Sequence, residues 1–355
     1  MISCKNCNNT PDIPKGLKKI FVFSEHEYML LKFKSFLSKS FPITEYDEYL
    51  LIEADFEKLL QNLLEANHLF TELELDNIYI IPLEQDSHLN IDIKLIKNLK
   101  TLSYFIHLLK AQDFKWILDN ENIIIESQPI INISTMEIFG YELLSRGINQ
   151  QGLKVSPDIL FDKARKTNML FYLDKICRLK AIEYAKQKNI HKNVFINFNP
   201  ASIYNPEFCL LDTINKVKEL NFAFSKIVFE IVETEKQIDF KHLRNIINYY
   251  KDRGFKIALD DVGSGYSSLS VLAELKPEFI KIDKNIIKNI YKDNTKKAIV
   301  QSLVNLGEKI QVVILAEGVE TEEEFATIKE LGVHLAQGYL FGKPSSEPLL
   351  TLQST

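Results

Sequence analysis

From about residue 123 onward, short apolar segments alternate with segments of helical periodicity. Apolar runs without polar alternation are typical of strands buried on both faces in a parallel sheet. Helical segments end at Gly254 and Gly332, where a helix C-terminus favours glycine. About eight strands over roughly 230 residues predict a TIM-type (β/α)8 barrel, with a doubly wound open sheet as the alternative. The later predicted strands are Val194–Phe198, Ile227–Ile231, Lys256–Leu259, Phe279–Ile282, Val312–Ala316 and Leu335–Leu340.

The predicted barrel opens irregularly. Extended segments run from Ile123 to Ile133 and from Ile138 to Leu144, and a turn at Ser134-Thr135 joins them without a helix. A regular barrel places a helix after every strand. The opening of the predicted barrel therefore departs from the regular (β/α)8 pattern.

The first 118 residues have a different pattern, which predicts a small α/β domain of about three strands and two helices. A helix from Ile91 to about Leu118 would connect it to the barrel domain at 119–355. The order of the domains suggests a regulatory or dimerising role for residues 1–118.

The N-terminus carries a Cys-x-x-Cys pair, Cys4 and Cys7. Such a pair can be half of a zinc site, a redox pair, or neither. A closed zinc site needs four ligands, and no second cysteine pair follows in the sequence. Zinc at Cys4 and Cys7, or a redox or metal sensor there, stays an open alternative.

Composition narrows the class of partner. The net charge of −5 lacks the basic excess that a polymeric nucleic acid would require. No apolar run is long enough to span a bilayer, and the first residues lack the apolar core of a signal peptide. We expect a cytoplasmic protein whose ligand is small.

Polar residues recur at the carboxyl end of successive predicted strands. In a parallel barrel these positions share one face, where active sites of this fold lie. A single such residue would be an ordinary rim residue, but the repetition favours a site. The residues are Glu142, Asn197, Glu230, Asp260, Asp261, Lys281, Glu317 and Gln337.

The donor types in this set favour hard cations. Glu142, Asn197, Glu230, Asp260 and Asp261 offer oxygen ligands, and no histidine or cysteine joins them. Oxygen ligands suit Mg²⁺ or Mn²⁺ and not zinc. The number of carboxylates is too large for one Mg²⁺ ion, so we expect two ions acting on a phosphoryl group. Lys281 would orient water or stabilise charge, or form a structural ion pair.

The motifs around these residues resemble the EAL-domain cyclic di-GMP phosphodiesterases. Glu142-Leu143-Leu144-Ser145-Arg146 is similar to the Glu-x-Leu-x-Arg signature, and Glu230-Ile231-Val232-Glu233 to the Glu-x-x-Glu motif. The resemblance extends from about residue 120 to 345. The other matching segments are Gln128-Pro129-Ile130, Asn197, Asp260-Asp261-Val262-Gly263-Ser264-Gly265, Lys281-Ile282-Asp283, Glu317-Gly318-Val319-Glu320 and Gln337-Gly338-Tyr339.

The resemblance implies a barrel with an antiparallel first strand, a homodimer, and hydrolysis of cyclic di-GMP to linear pGpG. By the family pattern, metal would bind to Glu142, Asn197, Glu230, Asp260 and Asp261. Lys281 would activate water, with Glu317 and Gln337 supporting that water, and Glu233 would hold the loop after Asp261. Arg146 would grip a substrate phosphate, and Gln128 and Gln337 would line the substrate site.

Departures from the family pattern keep every oxygen ligand. Leu143 stands where alanine is usual, Val262 replaces phenylalanine and Ser264 replaces threonine. An active phosphodiesterase is therefore our main hypothesis. The alternative is a catalytically silent cyclic di-GMP receptor that signals through residues 1–118.

Overall fold

The structure is a computed structural model, and it describes residues 10–66, 69–84, 99–231, 240–263 and 269–352. The described chain forms two compact units. The barrel unit comprises 121–157 and 171–352, and the smaller unit comprises 10–120 and 158–170. Cys4, Cys7, Glu233 and Ser264 of the sequence analysis lie outside the described residues.

The smaller unit contains an antiparallel five-stranded sheet in the order β2-β3-β1-β4-β5. Its strands are β1 (Leu17–Phe23), β2 (Ile43–Glu45), β3 (Leu50–Asp55), β4 (Tyr79–Glu84) and β5 (Lys100–Thr101). Its helices are α1 (Glu27–Leu37), α2 (Phe56–Glu65), α3 (Glu72–Asp76), α4 (Leu102–Lys110), α5 (Gln112–Asp119) and α6 (Pro157–Lys166).

Local sequence explains these boundaries. The Asp55 side chain accepts a hydrogen bond from Lys58 N at 2.9 Å and so begins α2. Thr71 and Glu74 form a capping box at α3. The expectation of one connector helix from Ile91 was wrong within the described residues. There, β5 is followed by two helices that meet at Ala111, where the backbone leaves the helical conformation.

The barrel unit contains eight strands closed into a barrel in the order β6-β14-β13-β12-β11-β10-β9-β7, and β6 pairs with β7 to close it. β6 is antiparallel to both neighbours, whereas the other pairs in the ring are parallel. The predicted modified barrel is therefore confirmed. The strands are β6 (Ile123–Asn132), β7 (Ile138–Ile148), β9 (Asn193–Phe198), β10 (Ile227–Ile231), β11 (Lys256–Val262), β12 (Phe279–Ile282), β13 (Val313–Ala316) and β14 (Leu335–Gln337), with a short β8 (Lys154–Val155) added beside β7.

Helices alternate with the later strands of the barrel. They are α7 (Leu170–Gln187), α8 (Pro206–Cys209), α9 (Leu211–Glu219), α10 (Phe240–Lys251), α11 (Leu269–Leu275), α12 (Lys284–Ile287), α13 (Asn294–Ile310) and α14 (Glu322–Glu330). Within the described residues, no helix is both long and apolar enough to cross a membrane.

The centre of the barrel is filled by an apolar layer to which seven strands contribute one residue each, with Phe139 of β7 packed against it. Inward and outward residues alternate along a strand, so such a layer fixes which residues point inward one step further on. The layer consists of Ile130, Phe195, Val228, Ala258, Phe279, Leu315 and Leu335.

Candidate active site

The polar residues predicted at the strand ends form the next layer of the barrel interior. Each lies two residues beyond a core residue, toward the carboxyl end of its strand. β6 runs in the opposite direction, so there the count is reversed and reaches Gln128. The residues obtained in this way are Gln128, Asn197, Glu230, Asp260, Lys281, Glu317 and Gln337.

Lys281 lies at the centre of this layer, with its side chain only 1% exposed. Its Nζ atom is 2.6 Å from Glu317 Oε1 and 2.7 Å from Glu230 Oε1. Asp260 Oδ1 lies at 3.2 Å and Glu142 Oε1 at 3.9 Å from the same nitrogen. One buried cation therefore faces four carboxylates from four different strands or strand ends.

Glu142 on β7 is held by amide donors from β9, its neighbour, and from β14, which lies beyond β6. Asn197 Nδ2 donates to Oε1 at 3.0 Å, and Gln337 Nε2 donates to Oε2 at 2.6 Å. Gln337 Nε2 also lies 2.9 Å from Gln128 Oε1, and Gln128 Nε2 donates to the Gly342 carbonyl at 3.1 Å. These bonds fix the orientation of the Glu142 carboxylate across the seam where the barrel closes.

A bulge in β11 brings two consecutive aspartates to the same site. In a regular strand, Asp260 and Asp261 would point to opposite faces. The register of β11 against β12 shifts between Leu259 and Val262, and Asp261 has a φ of 53°, in the left-handed region. Oxygens of Asp260, Asp261 and Glu317 consequently lie within 4.8 Å of one another.

The excess of carboxylates raises the pKa of several of them. Burial raises the pKa of Glu317 to about 8, and Asp260 and Glu142 add to the effect against the opposing charge of Lys281. Burial, together with Asp260 and Asp283, raises the pKa of Asp261 to about 6. For Glu230, burial and the surrounding carboxylates raise the pKa well above its ordinary value. The layer therefore favours the uptake of positive charge.

Two groups of the same layer stay charged. Burial acts to lower the pKa of Lys281, but Asp260, Glu142 and Glu230 outweigh it and hold this pKa well above its ordinary value. Burial acts to raise the pKa of Glu142, but Lys281, Gln337 and Asn197 outweigh it, so the pKa lies below the ordinary value.

The residues fit divalent cations. Burying several carboxylates is costly unless positive charge accompanies them. The donor set consists of oxygens, as hard cations require, and three carboxylate oxygens already converge at Asp260, Asp261 and Glu317. Glu230 is fully buried, and although its Oε1 contacts Lys281, its Oε2 has no hydrogen-bond partner among the described residues. Glu142, Asn197, Glu230, Asp260 and Asp261 are the residues that could hold the ions.

Arg146 was predicted to bind a substrate phosphate. In the structure, its Nε atom lies 3.0 Å from Glu126 Oε2. Lys154 Nζ contacts the other oxygen of Glu126 at 2.5 Å. Glu126 was not among the predicted site residues, although a charged residue inside the apolar run of β6 was a usable signal. Gln128, predicted to line the substrate site, is 8% exposed and hydrogen-bonded to Gln337 and Gly342, and its contact with substrate stays a prediction.

Fold and site together define the class, a (β/α)8-type barrel with an antiparallel first strand and a carboxylate-rich site at the carboxyl ends of its parallel strands. The sequence model of the EAL domain family matches residues 109–344. The chain belongs to the EAL domain family.

Curated relatives include cyclic di-GMP phosphodiesterases. A probable cyclic di-GMP phosphodiesterase of Escherichia coli, PdeG, is 31% identical over 238 residues, which is 64% of this chain and 45% of the relative. A second, PdeR, is 26% identical over 244 residues, which is 68% of this chain and 36% of the relative. The chain thus spans less than half the length of these curated relatives.

Solved structures share the barrel. The c-di-GMP-bound form of a standalone EAL protein from Vibrio cholerae is 38% identical, with a TM-score of 0.60, and the match covers 65% of this chain and 95% of that one. BlrP1 of Klebsiella pneumoniae, solved as a calcium and cyclic di-GMP complex, is 18% identical with a TM-score of 0.60. That match covers 95% of this chain and 98% of BlrP1, and it shows the fold alone.

Proposed function

We propose that the barrel unit hydrolyses cyclic di-GMP to linear pGpG with two divalent cations, Mg²⁺ or Mn²⁺. One observation carries the proposal: four carboxylates surround the single lysine Lys281, at the strand ends of an EAL barrel. Relatives named as cyclic di-GMP phosphodiesterases support the choice of substrate.

The chain's own residues would divide the work as follows. Glu142, Asn197, Glu230, Asp260 and Asp261 hold the ions, which when bound supply Lewis-acid activation of water and of the phosphoryl oxygens. The amides of Asn197 and Gln337 keep the Glu142 carboxylate in one orientation. Orientation within a fraction of an ångström matters because a displaced ligand misaligns attack on phosphorus.

Lys281 and Glu317 form the polar pair next to these ligands, 2.6 Å apart. Lys281 keeps its proton, since its pKa is raised, and so offers a fixed positive charge to orient water or stabilise a developing negative charge. Glu317, whose pKa burial raises to about 8 when no cation is bound, lies beside this charge and would support the water that attacks phosphorus.

The substrate phosphates carry negative charge, and Arg146 is the arginine of the matched signature. Its guanidinium pairs with Glu126 in this structure. We infer that the Glu126 carboxylate keeps Arg146 extended along β7. The substrate phosphate would accept hydrogen bonds from guanidinium N–H groups that do not face Glu126. A homodimer and a regulatory role for residues 1–118 remain proposals from the resemblance and from the domain order.

The test is incubation of the purified chain with cyclic di-GMP and Mn²⁺ or Mg²⁺, with chromatography of the nucleotides. We expect pGpG, and we expect EDTA to abolish it. Glu142→Gln should lower turnover by about a hundredfold or more because it removes a buried ligand charge. Glu137→Gln, an exposed change in the same hairpin, is the matched control. Binding of cyclic di-GMP without cleavage would overturn the enzyme and favour the receptor.

A further inference from the structure

Outside the carboxylate layer, the barrel unit buries a second ion pair. Asp174 and Arg178 lie one turn apart on α7, with side chains 2% and 1% exposed, and their charged groups are in direct contact. The desolvation of a buried pair commonly cancels its attraction, so such a pair does little for stability by itself. Its contacts indicate another role.

Asp174 holds the backbone that follows β9. Its Oδ1 accepts the N–H of Asn199 at 3.0 Å, and its Oδ2 accepts the hydroxyl of Ser202 at 2.6 Å. Asn199 in turn accepts a hydrogen bond from Ala201 N at 2.9 Å and begins the 3-10 turn Pro200–Ser202. The carboxylate therefore fixes both ends of the turn that leaves the strand.

Arg178 extends the same contact in two directions. Its guanidinium lies 5.6 Å from the centre of the Phe198 ring, which is on β9. Its Nε donates to Thr213 Oγ1 at 3.3 Å, on α9. The pair thus contacts Phe198, Asn199 and Ser202 at the end of β9 and in the turn after it. Arg178 also contacts α9 through Thr213.

Asn197 immediately precedes Phe198, the first residue that the pair contacts. Its Nδ2 donates to Glu142 Oε1 at 3.0 Å, and it is one of the proposed cation ligands. We propose that Asp174 and Arg178 are positioning residues, which hold the end of β9 so that Asn197 keeps its place beside Glu142 and the cations. This inference rests on the proposed function for the identity of the ligand set.

The physical reason is the location of Asn197 near a strand end. Asn197 is the penultimate residue of β9; it pairs with β10, but the pairing of β9 with β7 ends at Ile196, and the segment beyond a strand end opens most readily. Hydrogen bonds that a backbone N–H donates to a charged acceptor are stronger than those to a neutral one. Groups that orient a ligand typically change metal affinity by 10–100-fold when they are removed.

The test uses the full chain with Asp174→Ala, Asp174→Asn and the control Thr213→Val. Thr213 contacts the same pair from the α9 side and is fully buried, so its loss lowers stability without removing an acceptor from Asn199. Two readouts are compared: hydrogen exchange of the segment 197–203 in EDTA, and the Mn²⁺ dissociation constant from the spin-resonance signal of free Mn²⁺.

For Asp174→Ala we expect at least about tenfold faster exchange in this segment and about tenfold weaker Mn²⁺ binding. Asp174→Asn keeps one acceptor oxygen and loses the charge, so it should be intermediate. Thr213→Val should change neither readout at a temperature where it is folded. A folded Asp174→Ala chain with wild-type exchange and affinity, or equal effects in Thr213→Val, overturns the proposal.

A single charge deletion leaves Arg178 buried without Asp174, which can prevent folding. The double variant Asp174→Leu/Arg178→Met removes both charges and covers that case. Unchanged exchange of 197–203 in the double variant would also overturn the proposal. If the wild-type chain binds no Mn²⁺, the proposed function fails, while the exchange comparison in EDTA still decides whether the pair positions Asn197.

Discussion

The two units of this chain differ in what they bury. In the smaller unit, the buried polar residues of the described chain are Lys18, Ser103 and Thr167, and Lys18 pairs with the exposed Glu84. In the barrel unit, the buried charged residues are Glu126, Glu142, Asp174, Arg178, Glu230, Asp260, Lys281, Asp283 and Glu324. Folding alone does not require such burial, which costs desolvation.

This difference distinguishes a unit whose interior is apolar from a unit that also buries a layer of charged side chains. The interior of the smaller unit is apolar, with Ile20, Val22, Phe33 and Leu59 fully buried. The barrel has an apolar layer as well, but a charged layer lies directly above it. The carboxylates of this layer outnumber Lys281, as the proposed cations would require, and we expect mutations in the two units to differ accordingly.

The largest effect should follow removal of the central cation. Lys281→Met leaves the carboxylates around it without their buried partner, so we expect a loss of about 3–5 kcal/mol of stability in the barrel unit. Lys18→Met in the smaller unit should cost about 1 kcal/mol or less, since its partner Glu84 is in solvent. Hydrogen exchange of β12 and of β1 measures the two units separately. Equal losses of stability in Lys281→Met and Lys18→Met would contradict the difference between the two units.

A carboxylate change should separate stability from activity. Glu230→Gln removes a buried charge whose pKa is raised, so in EDTA the barrel unit should keep or gain stability. Turnover should fall by about a hundredfold or more, about 2.7 kcal/mol. Glu53→Gln, exposed on β3, is the control and should alter neither quantity. Retained activity in Glu230→Gln would remove Glu230 from the ligand set.

The pH dependence of stability tests the raised carboxyl groups. Between the ordinary value of 4.5 and about 8, folded Glu317 retains a proton that the unfolded chain has released. Stability therefore falls as pH rises through this window when EDTA removes divalent cations. Asp261 contributes the same trend between 3.8 and about 6.

We expect a loss of about 4 kcal/mol in the wild-type chain between about pH 5 and about pH 8.5, measured by urea unfolding. Glu317→Gln should lose much of this decline, because its side chain does not titrate. Mn²⁺ should oppose the decline by binding the deprotonated carboxylates. A variant as pH-dependent as the wild-type chain would contradict the assignment to Glu317.

The smallest effect should come from a helix cap in the smaller unit. Asp55→Ala removes the acceptor for Lys58 N and should cost about 1 kcal/mol there. The Mn²⁺ dissociation constant should not change, because Asp55 lies in the unit without the carboxylate layer. A changed Mn²⁺ affinity would show that the units are energetically coupled.

Much of the site was predictable because strands impose a period of two. Once the apolar segments are read as barrel strands, residues such as Glu230 and Lys281 must lie on one inner layer. In this fold, that layer lies at the carboxyl ends of the parallel strands. Gln128 follows the same rule only when β6 is known to run antiparallel. The resemblance to the EAL family implied this direction, and the absence of a helix between the first two strands was consistent with it.

Other features depended on contacts between distant segments. The period of two places Asp260 and Asp261 on opposite faces, and only the bulge in β11 with the left-handed Asp261 brings both to the cluster. The pairing of Arg146 with Glu126 is set by the register of the opening hairpin, and the sequence spacing does not show it. For the same reason, the hydrogen bonds between Asp174 and the turn after β9 were not predicted from the sequence.

The sequence by itself determined the barrel, its irregular opening and the donor types of the site, because apolar periodicity and residue chemistry act locally. The tertiary structure decided which charges meet. Lys281, Glu142 and Glu317 lie far apart in the chain, and their pKa values arise from burial and distances that only the closed barrel creates. Electrostatic energy depends on separation in space and on the exclusion of water, neither of which the order of residues specifies.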